Sequence, residues 1–380
     1  MNPSSIAARS SLLAALVLSI SMSPAAPGAE IAPLPADLAP LFEPPPEFAG
    51  KLGDFRPLLR FDDGSAVQTP DDWQRRRAEI RQHWMETMGP WPLLIEKPRL
   101  EVLERSRREN FAQLRVRVEI APGQTLDGYL LIPDGEQKRP AVLVPFYDAE
   151  TGAGLAKENR DFGYQLTRRG FVTLSIGSPG GDARKPENGE AMCQPLSYLA
   201  YVAVNCANAL ANLPEVDAAR IGVVGHSYGG KWALFASCLS ERFACGVWSD
   251  PGIVFDEKRS NVNYWEKWYL GAAPGVSRKP GIPDAENPRT GAYKTLVEQG
   301  RDLHELHALM APRPFLVSGG SEDPPERWIP LNHSIAVNRL LGFTQRVAMT
   351  NRPGHNPTTE SNEQMFRFFE HFLASAPAGK

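Results

Sequence analysis

The chain has 380 residues, 42% of them hydrophobic, with 41 Lys and Arg against 44 Asp and Glu for a formal net charge of -3. Acids and bases are interspersed, so there is no basic surface to concentrate nucleic acid and no like-charge tail for electrostatic docking on a membrane. Without its first segment the chain keeps roughly 350 residues, enough for one large domain with insertions.

Residues 1–29 place Arg9 ahead of an apolar run at 12–20, followed by small residues and Pro27-Gly28-Ala29. That run is far shorter than the roughly 20 apolar residues of a membrane span, and it reads as a cleaved secretory signal. A periplasmic or secreted protein without a stable membrane anchor is expected; an uncleaved anchor is the alternative. Residues 30–98 read as an N-terminal arm and helix. The arm, 31–70, is rich in Pro and Leu without periodicity. Pro70-Asp71-Asp72-Trp73 is an N-cap signal, and Ile80, Trp84 and Met88 then fall at helical spacing over 74–88, closed by Gly89-Pro90.

Residues 99–380 read as the main domain. Alternating segments at 100–103, 114–120 and 126–132 predict antiparallel strands. Beyond Pro140 the pattern changes to short, wholly apolar runs, at 141–145, 171–176, 221–225, 245–248, 315–318 and 345–349. Helical stretches fit between them at 158–169, 196–213, 229–239, 330–341 and 360–373. This alternation is how a mostly parallel sheet flanked by helices looks in sequence. Residues 251–300, dense in Pro, Gly and aromatics, break it and are expected to form a lid or insertion. Cys193, Cys206, Cys238 and Cys245 lack paired C-x-x-C spacing, so no zinc site is expected. They read as buried small residues, with room for one disulfide.

The chemistry-bearing motif is Gly225-His226-Ser227-Tyr228-Gly229, a G-x-S-x-G placed between the apolar run at 221–225 and the helical run at 229–239. A nucleophilic serine at a strained strand-to-helix turn needs glycines on both sides, where a side chain would block backbone and helix. Ser227 is the expected nucleophile, on an α/β-hydrolase fold carrying the N-terminal arm and the lid. The new helix turns its N–H groups and positive dipole end toward a developing oxyanion. Tyr228 N–H is one expected oxyanion donor, and Phe146 or Tyr147, after the run at 141–145, should supply another. His355, in the turn Arg352-Pro353-Gly354-His355-Asn356-Pro357 after the last strand, is the expected general base. The acid is open: Asp323 follows the strand at 315–318 and is preferred, while Asp250, after the strand at 245–248, is the rival. His226 is expected to support the elbow, and His304 and His307, on one helical turn, to take surface or packing roles, with substrate binding the alternative.

Four stretches carry a family resemblance: 72–80 (DWQRRRAEI), the elbow with Gly230-Lys231, the aromatic run 263–268 (NYWEKW), and 309–318 (LMAPRPFLVS). Together they resemble α/β-hydrolase carbohydrate esterases, nearest in pattern to glucuronoyl esterases and their acetyl xylan esterase relatives. The resemblance implies that Lys231 binds sugar hydroxyls and that Trp265 or Trp268 offers a stacking surface. Glucuronoyl esterases typically carry arginine after the serine, where this chain has Tyr228.

These observations point to an exported serine carboxylic-ester hydrolase that works through an acyl-enzyme on a carbohydrate ester, acetyl or uronate, with no metal or organic cofactor. The alternatives are a serine peptidase of the same fold, a dienelactone-type hydrolase, which would usually carry cysteine in place of Ser227, and a non-catalytic sugar-binding homologue.

Overall fold

The structure is a computed structural model that describes residues 33–374, so the predicted signal at 1–29 lies outside the described residues. From the N-terminal side come helix α1 (Pro70–Met88), strands β1 (Leu100–Arg108), β2 (Phe111–Ala121), β3 (Gln124–Pro133) and β4 (Arg139–Pro145), short helices α2 (Ala149–Gly152) and α3 (Phe162–Arg168), and β5 (Val172–Ile176). There follow α4 (Pro195–Ala211), β6 (Val216–His226), α5 (Tyr228–Leu239), β7 (Cys245–Ser249), α6 (Gly291–Glu298) and α7 (His304–Ala308). The last elements are β8 (Phe315–Gly319), α8 (Trp328–Leu340), β9 (Val347–Asn351) and α9 (Thr359–Phe369).

Among the described residues these strands form one nine-stranded sheet in the order β1-β2-β3-β5-β4-β6-β7-β8-β9. The pairs β1–β2, β2–β3 and β3–β5 are antiparallel, and every pair from β5–β4 to β8–β9 is parallel. The predicted change of pattern near Pro140 therefore marks the change from hairpins to crossovers. Strands covered on both faces must be apolar at every position, and β5, β7 and β8 are buried at every position. Successive residues of β4 serve opposite layers. Ala141 and Leu143 join a core with α1, α4 and α5, while Val142 and Val144 join one with α3 and α9.

Helix α1 shows how the sequence dictates an element. Thr69 and Asp72 form a reciprocal capping box, Pro70 occupies the first turn, and Trp73, Arg76, Ile80, Trp84 and Met88 line one buried face. The cap is Thr69, one residue before the predicted signal. Helix α3 starts at Phe162 rather than at 158, because Asn159 has a positive φ of 56° and breaks the turn. Helices α2, α6 and α7 escaped the sequence reading, since four to eight residues carry too little of a helical period.

The arm packs onto the domain, with Phe42 stacked on Phe368 and Phe55 against the rings of His304 and His333. The segment from Pro251 to Thr290 has no helix or strand, yet it is packed: Tyr264, Trp265 and Leu270 are buried. Inside it Arg278 pairs with Glu266 at 3.4 Å, and Gly281 N donates to Glu266 Oε1 at 2.7 Å. The four cysteines are buried free thiols. No helix of the described residues is long and apolar enough to cross a membrane.

Candidate active site

The carboxyl ends of β6, β7 and β8 and the loop after β9 meet at Ser227. The serine is held at φ 54°, ψ −111° between β6 and α5, a left-handed conformation that L residues adopt only when the surroundings impose it. The neighbouring glycines explain how it is imposed. A Cβ on Gly229 would lie 2.1 Å from Pro145 O, and one on Gly225 would lie 2.1 Å from Gly229 O. Two backbone bonds lock the turn, Ser227 N donating to Ser249 O at 2.8 Å and Lys231 N donating to Ser227 O at 2.9 Å.

His355 Nε2 lies 2.9 Å from Ser227 Oγ, and its Nδ1 lies 2.7 Å from Asp250 Oδ2. The expectation that Asp323 would meet the histidine is corrected here: Asp250, the rival, occupies that place. The reason is a reciprocal wrap of two loops. Asp250 Oδ1 accepts from the backbone N–H of Gly320, Glu322 and Asp323 at 2.7, 3.1 and 2.9 Å, so the loop after β8 closes around it. Asp323 in turn accepts from Gly252 N at 2.9 Å and Ile253 N at 2.6 Å, which turns its carboxylate toward the loop after β7. Burial and the nearby Asp250 charge push the Asp323 carboxyl above the usual range. Glu322 is the third acid, its carboxylate joining that of Asp250 and the His355 imidazole in a group whose ligand atoms lie within 4.8 Å of one another. A cation could be bridged at that spacing, but Asp250 is already fully engaged by backbone donors and the imidazole, and Glu322 accepts from Asn261 Nδ2 at 3.2 Å and Ser321 Oγ at 2.9 Å.

The oxyanion candidates separate. Tyr228 is the first residue of α5, which sets its N–H at the helix start beside Ser227, while its buried phenol accepts from Ser178 Oγ at 3.0 Å. Phe146 is excluded as a backbone donor because its N–H already donates to Ile176 O at 3.0 Å. Its ring instead backs the site, stacked 6.5 Å from His226. Tyr147 stacks on Tyr228 at 4.8 Å, and the Ser227 side chain is near enough to act on its phenol. Burial raises the Tyr147 hydroxyl above its ordinary range, and the Ser227 contact opposes that rise. His226 sits 3.2 Å from Ser249 O, and burial, with the adjacent His355 and Arg352, drives its basicity well below an ordinary imidazole.

The three substrate-binding residues implied by the resemblance are placed otherwise. Lys231 is buried, and its Nζ donates to Pro251 O at 2.6 Å and Asn261 O at 3.0 Å, tying the irregular segment after β7 to α5. Burial lowers it to about 8 against the pull of Asp323, Glu322 and Asp250. Trp265 is buried edge-on against Tyr293, and Trp268 is buried with the Arg184 guanidinium 5.8 Å over its ring. Both rings are taken up in packing the irregular segment after β7. His304 and His307 are buried as expected for packing. Sequence reasoning passed over Arg352, which stands three residues before His355; a charged residue in a tight turn beside the base was the available signal.

A family profile described as the prolyl oligopeptidase family matches residues 164–325, which include Ser227 and Asp250. No curated protein sequence matches. Among solved structures, a glucuronoyl esterase from Solibacter usitatus is 18% identical with a TM-score of 0.66 over 83% of this chain and 97% of its own. Another, from Teredinibacter turnerae, is 19% identical with a TM-score of 0.60 over 83% and 88%. A putative acetyl xylan esterase from Bacteroides fragilis is 18% identical with a TM-score of 0.55 over 79% and 80%. With a mostly parallel sheet, a serine at the β6–α5 elbow and these structural likenesses, the chain has the α/β-hydrolase fold.

Proposed function

We propose that this protein is an exported serine hydrolase that cleaves carboxylic esters on carbohydrate, acetyl or uronate, through a covalent acyl-enzyme. The observation that carries the reading is the unbroken contact chain Ser227 Oγ, His355, Asp250, at 2.9 and 2.7 Å, with the serine on a strained elbow at a helix N-terminus. Ser227 Oγ attacks the ester carbonyl while His355 Nε2 takes its proton. Asp250 holds the Nδ1–H tautomer and offsets the imidazolium charge. The tetrahedral oxyanion is met by the Tyr228 N–H and by Tyr147, each such donor being worth roughly 10²–10³ in rate. His355 then protonates the departing alcohol as its bond to the acyl carbon breaks. Water, deprotonated by the same nitrogen, releases the acid and restores Ser227.

The likeness to glucuronoyl and acetyl xylan esterases supports the carbohydrate ester. The prolyl oligopeptidase profile favours a second reading, peptide cleavage by the same triad. The deciding assay gives purified protein an acetylated xylo-oligosaccharide, a glucuronic acid ester and a prolyl peptide amide, with Ser227→Ala as control. Turnover of either ester above the peptide, lost in the control, is expected; peptide turnover alone would transfer the reading to a peptidase. No turnover together with no labelling by a fluorophosphonate would overturn the hydrolase reading.

A further inference from the structure

We propose that Arg352 is a positioning residue of this site, a buried clamp that keeps the His355 imidazole between Ser227 and Asp250. The inference rests on the hydrolase reading above.

Arg352 is 7% exposed, and its guanidinium joins the ends of the paired strands β7 and β8 to the loop that carries His355. Toward the histidine loop, Nη2 donates to His355 O at 2.8 Å and Nε donates to Asn356 O at 2.9 Å. Toward β8, Nη1 donates to Ser318 O at 2.8 Å, to Ser318 Oγ at 2.9 Å and to Gly319 O at 3.3 Å. Toward β7, Nη2 donates to Ser249 Oγ at 3.2 Å. Ser249 also accepts Ser227 N through its carbonyl, so the clamp reaches the strand end that holds the nucleophile.

The chemistry of these contacts argues for positioning over simple charge pairing. The bonds go to carbonyls and hydroxyls, which leave the cation uncompensated at contact range, and burial accordingly lowers Arg352 against the more distant pull of Asp250 and Asp323. Burying a cation this way is expensive unless its donors are met, and here the planar fork meets acceptors on all three sides. Lysine could not reproduce it, since one ammonium on a flexible stem cannot span acceptors on three segments. Another side-chain contact of the His355 loop, Arg160 Nη2 donating to Asn356 Oδ1 at 2.5 Å, grips a side chain next to the histidine. Arg352 grips the histidine's own backbone.

The test measures kcat and KM of native protein, Arg352→Ala and Arg352→Lys on whichever ester the native protein cleaves, with fluorophosphonate labelling of Ser227 in each. Because a displacement of the base by about 1 Å costs about 10²-fold, Arg352→Ala should lose about that factor in kcat with KM changed less than about threefold. Tens of millimolar guanidinium chloride should restore a large part of the loss, and the same concentration of sodium chloride should not. A folded Arg352→Ala protein with native kcat, or with a loss that guanidinium leaves untouched, would overturn the inference. If the alanine variant does not fold, Arg352→Lys decides: a kcat loss at unchanged KM supports the clamp, and native kcat refutes it. Native protein that neither labels nor turns over any ester would instead remove the hydrolase reading on which the inference stands.

Discussion

Asp250 and Asp323 are both buried acids at strand ends, and what separates them is which donors each one faces. Asp250 meets the imidazole and three backbone N–H groups, whereas Asp323 meets Gly252 N and Ile253 N. Asp250→Asn should therefore lower kcat by about 10³–10⁴, the scale on which a wrong imidazole tautomer acts. Asp323→Asn should leave kcat within about tenfold of native and show itself in stability, by about 1–3 kcal/mol, through the imperfectly capped loop. Steady-state kinetics and urea titration of the two variants read both effects, and a reversed ranking would return the acid to Asp323. Tyr147→Phe removes a hydroxyl from beside Ser227 without disturbing the stack on Tyr228. Its expected cost is about 10²–10³ in kcat with little change in KM.

At the scale of elements, the elbow and the irregular segment after β7 are each held by a contact that one substitution removes. Gly229→Ala would drive a methyl into Pro145 O, and because both partners are backbone at the crossing of β4 and α5, little can give. Loss of more than about 3 kcal/mol is expected, read as a lowered urea midpoint or as insoluble protein. Lys231→Met leaves Pro251 O and Asn261 O without their buried donor, and should cost about 1–3 kcal/mol per carbonyl at neutral pH. The pH dependence has a definite sign. A lysine lowered to about 8 in the folded protein releases its proton more readily than in the unfolded chain, so the penalty for burying its charge is absent above the ordinary lysine range and fully present below 8. Native stability should thus rise between pH 8 and about 10.4 by a component that Lys231→Met lacks, which melts of both proteins across that window would detect.

For the whole molecule, the arm is tied down by an ion network as well as by apolar contact. Asp62 receives Arg76 at 2.7 Å and Arg301 at 2.9 Å, and Arg301 also pairs with the fully buried Glu305 at 2.9 Å. Burial alone would raise Asp62, but the two guanidinium groups overcome it and hold the carboxyl well below its usual range. Arg301→Met leaves Glu305 with Trp84 Nε1 as its close donor and a distant Arg56, and should destabilise by about 3–5 kcal/mol, the cost of breaking a buried pair from one side. A thermal melt within a degree of native would refute that role. Because the folded Asp62 value is depressed, its contribution is present above the ordinary carboxylate range and fades as acid titrates it.

Much of this protein was determined by local sequence. Ser227 and its glycines were legible because the elbow is a steric requirement written into five consecutive residues, and His355 because a histidine in a Pro-Gly turn after the last strand has few other uses. The helical face of α1 and the change to parallel strands near Pro140 followed from side-chain periodicity, which depends on neighbours in the chain. The acid, the burial of Lys231, Trp265 and Trp268, the loss of Phe146 as a donor and the clamp by Arg352 were decided only in three dimensions. Each depends on contacts between segments far apart in sequence, and no period or motif records that. Hydrogen-bond saturation at the carboxyl edge of the sheet decided the acid: once Gly320, Glu322 and Asp323 N–H groups closed on Asp250, that carboxylate was the one left facing the imidazole.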